Sequence, residues 1–296
     1  MNKGWERWLV GTFAVAIVAA GSAWILRPVE TIAPLAQTSP VTVQPVRPTT
    51  VMPAPAAHVV PEALLASDAP PVGVQVEQLL ASGDPQQAYT AYLLVAGCDH
   101  FSKKHDLVIH DQGSRTNRNL NEDERRQLAT MCGAMTERER LARLDHLAVA
   151  IKAGVPGAAI AYAAEGPFGD PSALTTRPDD PLVRQWKATA GAELTRAAEA
   201  GEAGALVVWG IQNLYGSGLA DKQPVLGYGY LLANGLIHAD RFGPNDPTAK
   251  AYADGGALAG VMGGALTPEQ RAAALAMARN IAGKVKAQHR RGAAAF

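Results

Sequence analysis

The feature that most restricts what this chain can fold into is a helix-start signal that recurs along it. "SGDPQQAYTAYLLVAG" places Asp84 at a cap position and Pro85 at the first helical position, where a missing N–H is harmless. "TERERLARLDHLAVAIKAG" opens with Thr136 and Glu139 at capping-box spacing and closes on Gly154. Asp180-Pro181 begins a helix that stops at Gly201, Asp246-Pro247 begins another, and Thr267, Pro268 and Gln270 begin a last one. Alternating apolar runs bounded by turns, the mark of strands, do not appear. Aromatic residues make up only 6% of the chain, so the core is expected to be helical and built from small side chains. The fold class predicted is all-α.

Ahead of this region lie two segments of a different kind. Lys3 and Arg7 precede an uncharged run from Trp8 to Leu26, which as a helix reaches about 30 Å, the thickness of a hydrocarbon core. Trp5, Trp8 and Trp24 stand near its ends, as interfacial aromatics do, and the positive flank predicts a cytoplasmic N-terminus. The expectation is a transmembrane signal-anchor over residues 1–27, with the rest of the chain on the periplasmic side of an inner membrane. The small residues of "AGSA" keep a cleaved signal peptide, and a secreted or periplasmic product, as the alternative. Residues 28–72 carry ten prolines and few charges, which predicts a disordered spacer. Residues 73–296 form the expected helical domain.

Within that domain the string Ala197-x3-Gly201-x3-Ala205-x3-Trp209 recurs upstream as Ala150-x3-Gly154-x3-Ala158-x3-Tyr162, offset by 47 residues. Residues 197–218 resemble the Sel-one-like repeat, a glycine-rich relative of the tetratricopeptide repeat, at Ala197, Ala198, Gly201, Ala205, Gly210, Tyr215 and Gly218. Trp209 replaces the usual leucine of that pattern, and the upstream copy carries extra residues around "EGPFGDPSALTTRPDD". The resemblance implies an α/α-hairpin solenoid in which Gly201 and Gly218 end helices in a left-handed conformation. It also implies that Ala205 and Gly210 let helices approach, while Trp209 and Tyr215 fill the space between hairpins.

Cys98 and Cys132 are the only cysteines, and an even count in an exported chain favours a disulfide over two buried thiols. Cysteine-rich members of the resembled family staple each repeat with its own pair, which this chain does not do. Between the two cysteines, Asp99-His100, His105-Asp106 and His110-Asp111 supply six groups suited to first-row metals. Their five-residue spacing fits one face of neither a helix nor a strand, so a solvated loop is expected, with no metal and no cofactor. No P-loop, GxSxG elbow or CxxC is present. Lys plus Arg and Asp plus Glu balance at 27 each, giving no field to draw in nucleic acid. These features predict a non-catalytic periplasmic scaffold or adaptor that binds a protein partner and reaches the membrane through its N-terminal helix. Two alternatives stand beside it: a metal-dependent or cell-wall-directed hydrolase using the 99–111 segment, and a structural accessory subunit of an envelope complex.

Overall fold

The structure, a computed structural model, describes residues 59–61, 70–104, 108–111 and 116–293, all within the unit Met52–Phe296. The apolar run 8–26 and residues 28–58 of the expected spacer lie outside the described residues. Helices carry the fold. They are α1 (Val72–Leu80), α2 (Pro85–Lys104), α3 (Glu122–Gly133), α4 (Glu137–Ala153), α5 (Ala158–Glu165), α6 (Ala173–Thr176), α7 (Pro181–Glu199), α8 (Ala203–Tyr215), α9 (Pro224–Phe242), α10 (Pro247–Tyr252), α11 (Ala257–Gly263) and α12 (Pro268–Ala293). No helix among the described residues is long and apolar enough to cross a membrane.

The capped starts form as the sequence requires. Asp84 Oδ1 accepts from the Gln86 N–H at 2.9 Å, Asp180 Oδ1 from Leu182 at 2.9 Å, and Asp246 Oδ1 from Ala249 at 2.9 Å. Thr136 and Glu139 complete a capping box, and Thr267 with Gln270 does the same at α12. Another box, Asn121 with Glu124, starts α3.

The helices pair into hairpins: α2 with α4, α5 with α7, and α8 with α9. Helices α10 and α11 then precede α12, and both α10 and α12 pack on α9. The second arms α4, α7 and α9, and α12 after them, start at Glu137, Pro181, Pro224 and Pro268, so successive starts are 44, 43 and 44 residues apart. Glycine sets the tightest approaches. A Cβ on Gly210 of α8 would stand 2.9 Å from Leu231 of α9. One on Gly227 of α9 would meet the backbone of Leu214 and Gly210. Gly229 gives the same access to Met277 of α12. Helix α9 is therefore the hub of the largest core, which gathers Trp186, Leu194, Leu206, Trp209, Tyr228, Leu231, Ala274 and Ile281 among others.

One part of the expected loop is ordered differently. Strands β1 (Val59–Pro61), β2 (Val108–Asp111) and β3 (Thr116–Asn119) form a small sheet in the order β1-β2-β3. β1 runs parallel to β2 with Val59 opposite Val108, and β2 runs antiparallel to β3 with Asp111 opposite Thr116. Residues 59–61, assigned by composition to the spacer, are thus tied to the segment between α2 and α3. The four-residue runs are too short to show a period of two, and β3, "TNRN", carries no apolar residue.

Candidate binding surface

The upstream and downstream copies of the repeat make the same turn. The Gly154 N–H donates to Ile151 C=O and Val155 N–H to Ala150 C=O. Forty-seven residues on, Gly201 N–H donates to Ala198 C=O and Glu202 N–H to Ala197 C=O. Both glycines are left-handed, at φ +73° and +83°, as a Schellman-type helix end demands. The two turns are also joined to each other. Arg196 Nη2 donates to Ile151 C=O at 3.1 Å, and Glu202 Oε1 accepts from the Gly157 N–H at 3.0 Å.

Burial raises the Glu202 carboxyl above its ordinary value, against the Gly157 N–H and Arg196, which favour the charged form. A carboxyl raised in the folded state binds its proton more tightly there. Its stabilising contribution is complete below the unfolded value and is lost as pH rises through the folded one. Denaturant midpoints measured from pH 4 to pH 8 should therefore fall more for the wild type than for Glu202→Gln, whose amide oxygen still accepts from Gly157. Equal slopes would contradict this role.

The repeat extends further than the sequence string. Residues 165–169 and 212–216 share one burial pattern: half-buried, two buried, one exposed, half-buried. The last of each five is a glycine with positive φ, +76° at Gly169 and +75° at Gly216. Two expectations are corrected here. Gly216, not Gly218, carries the positive φ after α8, and Gly218 lacks a side chain because Leu174 Cβ would stand 2.9 Å from it. Tyr215 does not fill the space between hairpins: at the last position of α8 it is 59% exposed. Its counterpart Phe168 is 55% exposed and holds φ +59°, the only positive φ outside glycine among the described residues. That conformation costs a side chain with a Cβ roughly 1–2 kcal/mol. Trp209 and Ala205 are buried as expected, and Gly191 makes room for the Trp209 ring.

Beside Gly169, Arg143 forks onto Glu165 with bonds of 3.0 and 2.8 Å, and both side chains are nearly buried. Burial alone would lower the arginine, but the hydrogen-bonded carboxylate outweighs it and raises its pKa. The buried Tyr92 hydroxyl is likewise raised, by burial first and by Glu165 next. The Arg143–Glu165 pair ties α4 to α5 and keeps both charges partnered, a structural use of charge. An open cleft of about 550 Å³ separates α7 from α12, between Thr195, Arg196 and Glu199 on one side and Lys284 and Gln288 on the other.

The histidine–aspartate candidates divide between a helix, a strand and residues outside the described ones. Asp99 and His100 lie on α2, where Asp99 pairs with Lys103 at 2.8 Å. His110 and Asp111 lie in β2, while His105 and Asp106 fall outside the described residues. Among the described residues no three metal-ligating groups converge. Cys98 and Cys132 form a disulfide with Cα atoms 5.3 Å apart, joining α2 to α3 inside a small core with Leu94, Leu128 and Met131.

No protein-family model matches the sequence, and neither a curated protein nor a solved structure matches it.

Proposed function

We propose that this protein is a non-catalytic scaffold that binds a protein partner in the cell envelope. In this reading residues 8–26 anchor it in the inner membrane and the helical domain lies in the periplasm. The observation that carries it is the repeated unit at 150–169 and 197–216. Two consecutive hairpins share the turn that leads into them, the burial pattern that ends their first helix and an exposed aromatic residue. Stacked hairpins generate an extended surface suited to partner recognition. The resemblance of residues 197–218 to Sel-one-like repeats supports the same role.

Two experiments test the reading. An alkaline-phosphatase reporter fused after residue 72 should be active, because that enzyme needs an oxidising compartment. An inactive phosphatase with an active cytoplasmic reporter at the same point would reverse the topology. In the second, His100, His105 and His110 are replaced together by alanine, and proteins crosslinked to the domain in intact cells are compared with those of the wild type. A scaffold keeps the same crosslinked partner. Stoichiometric zinc in the purified protein, lost with the cellular phenotype in the triple variant, would favour a hydrolase instead.

A further inference from the structure

We propose that the shared end of α9 and α12 is a docking surface for a bilayer that carries anionic phospholipid headgroups. From Gln270 to Phe296 the sequence has six Lys or Arg and no Asp or Glu, although the whole chain balances at 27 each. The two helices run parallel. Gly229 of α9 lies against Met277 of α12, and twelve residues further along both, Arg241 Nη2 donates to His289 Nε2 at 3.2 Å. Their C-terminal ends therefore lie at one end of the domain, where Lys286 also donates to Asp240. That bond first, and the charges of Lys286 and Arg290 after it, hold the Asp240 carboxyl below its ordinary value. Arg241, Lys286 and Arg290, all exposed, thus gather about a single carboxylate.

Charge and one exposed ring select the occupant. Positive charge fits an anionic surface, and each Lys or Arg brought to one strengthens binding about fivefold. The nearby carboxylates are already engaged, Asp240 with Lys286, and Asp246 with His238 and the Ala249 N–H. The helix dipole also favours a cation in a last turn, where Arg241 and Arg290 stand. It accounts for neither Lys286, nearly two turns before the end of α12, nor Phe242. Phe242 is the last residue of α9, follows Arg241, and is 66% exposed. A ring among cations is the makeup of an interfacial element, in which the ring enters the headgroup region while the cations meet phosphates. An acidic protein would answer the cations but would need a fixed pocket for the ring, whereas a fluid bilayer admits it anywhere. In the scaffold reading residues 8–26 anchor the chain in a membrane, and the proposal takes its bilayer from that reading.

The test places the photocrosslinking residue p-benzoylphenylalanine at position 242 of the full-length protein. The protein is reconstituted with vesicles of phosphatidylcholine alone, or of phosphatidylcholine mixed equally with phosphatidylglycerol. Lipid adducts read by mass spectrometry should be at least about fivefold more abundant on the anionic vesicles. Joint substitution Arg241→Gln, Lys286→Gln and Arg290→Gln should reduce them to the neutral-vesicle level. Salt at about 1 M, where the screening length is about 3 Å, should do the same to the unsubstituted protein, whatever the folding of the variant. The control moves the crosslinker to Val261, 82% exposed on α11, whose Gly263 packs on Tyr228 near the start of α9. No lipid preference is expected there. Equal adducts on both vesicles, adducts that survive the triple variant or the salt, or the same preference at Val261 would each overturn the proposal. In cells, protein adducts from position 242 without lipid adducts would give the surface to an acidic protein instead. Flotation with the neutral vesicles reads the anchor separately: protein that stays unbound there yet crosslinks to anionic lipid loses the anchor and keeps this surface.

Discussion

Gly227→Ala is expected to be the most damaging single methyl that can be added to the central hairpin. Its Cβ would stand against the backbone of Leu214 and Gly210, where no rotamer change relieves the contact. Overpacking a core costs about 1–3 kcal/mol even when side chains can yield, so a loss of about 3 kcal/mol or more is expected at this backbone crossing. Gly283→Ala is the matched control: it lies in α12 with nothing within 4 Å of the added methyl. There helix propensity alone acts, and the change should stabilise by up to about 1 kcal/mol. Urea midpoints of the two variants should move in opposite directions. Movement in the same direction would mean that α8 and α9 do not cross at Gly210 and Gly227.

Removing the disulfide should be comparably costly. The bridge spans a sequence separation of 34 and encloses the small sheet strands β2 and β3 as well as most of α3. Opening a loop of that size returns about 3–4 kcal/mol of chain entropy to the unfolded state in the loop-closure model. Cys132→Ser should therefore lower the unfolding free energy by that order, with the loss concentrated in the core of α1, α2 and α3. The separate core around α9 shares no buried residue with it. Hydrogen exchange of the variant should show faster opening in α3 than in α9. Uniform acceleration would tie the bridge to the whole domain, and full alkylation of both thiols in native protein would remove the bridge altogether.

How much of this was legible in the sequence depended on how local each signal is. A cap followed by proline or glutamate states its own chemistry within four residues, so the starts at Pro85, Glu137, Pro181, Pro247 and Pro268 could be read directly. The cysteine pairing followed from parity and the expected compartment, and its geometry added only which helices it joins. The near-constant step between second-arm helices was hidden. Connectors of unequal length separate the arms, and the shared residues are mostly alanine and glycine, which recur by chance in an alanine-rich chain. The exposure of Tyr215 was missed because the family pattern marks a position without fixing its helical phase, and one step of about 100° turns a side chain from core to solvent. The left-handed Phe168 had no signal at all. Only the matching glycine at the equivalent point of the next unit, Gly216, reveals that the turn is part of the repeat.

The central claim is that two consecutive repeat units present an edge to a protein partner. The most direct measurement places a photocrosslinking amino acid at Tyr215 in cells, and in parallel at Gln288 beside the α7–α12 cleft. The account predicts a discrete crosslinked protein from Tyr215 and none of that mass from Gln288. Adducts from Gln288 but not from Tyr215 would contradict the account.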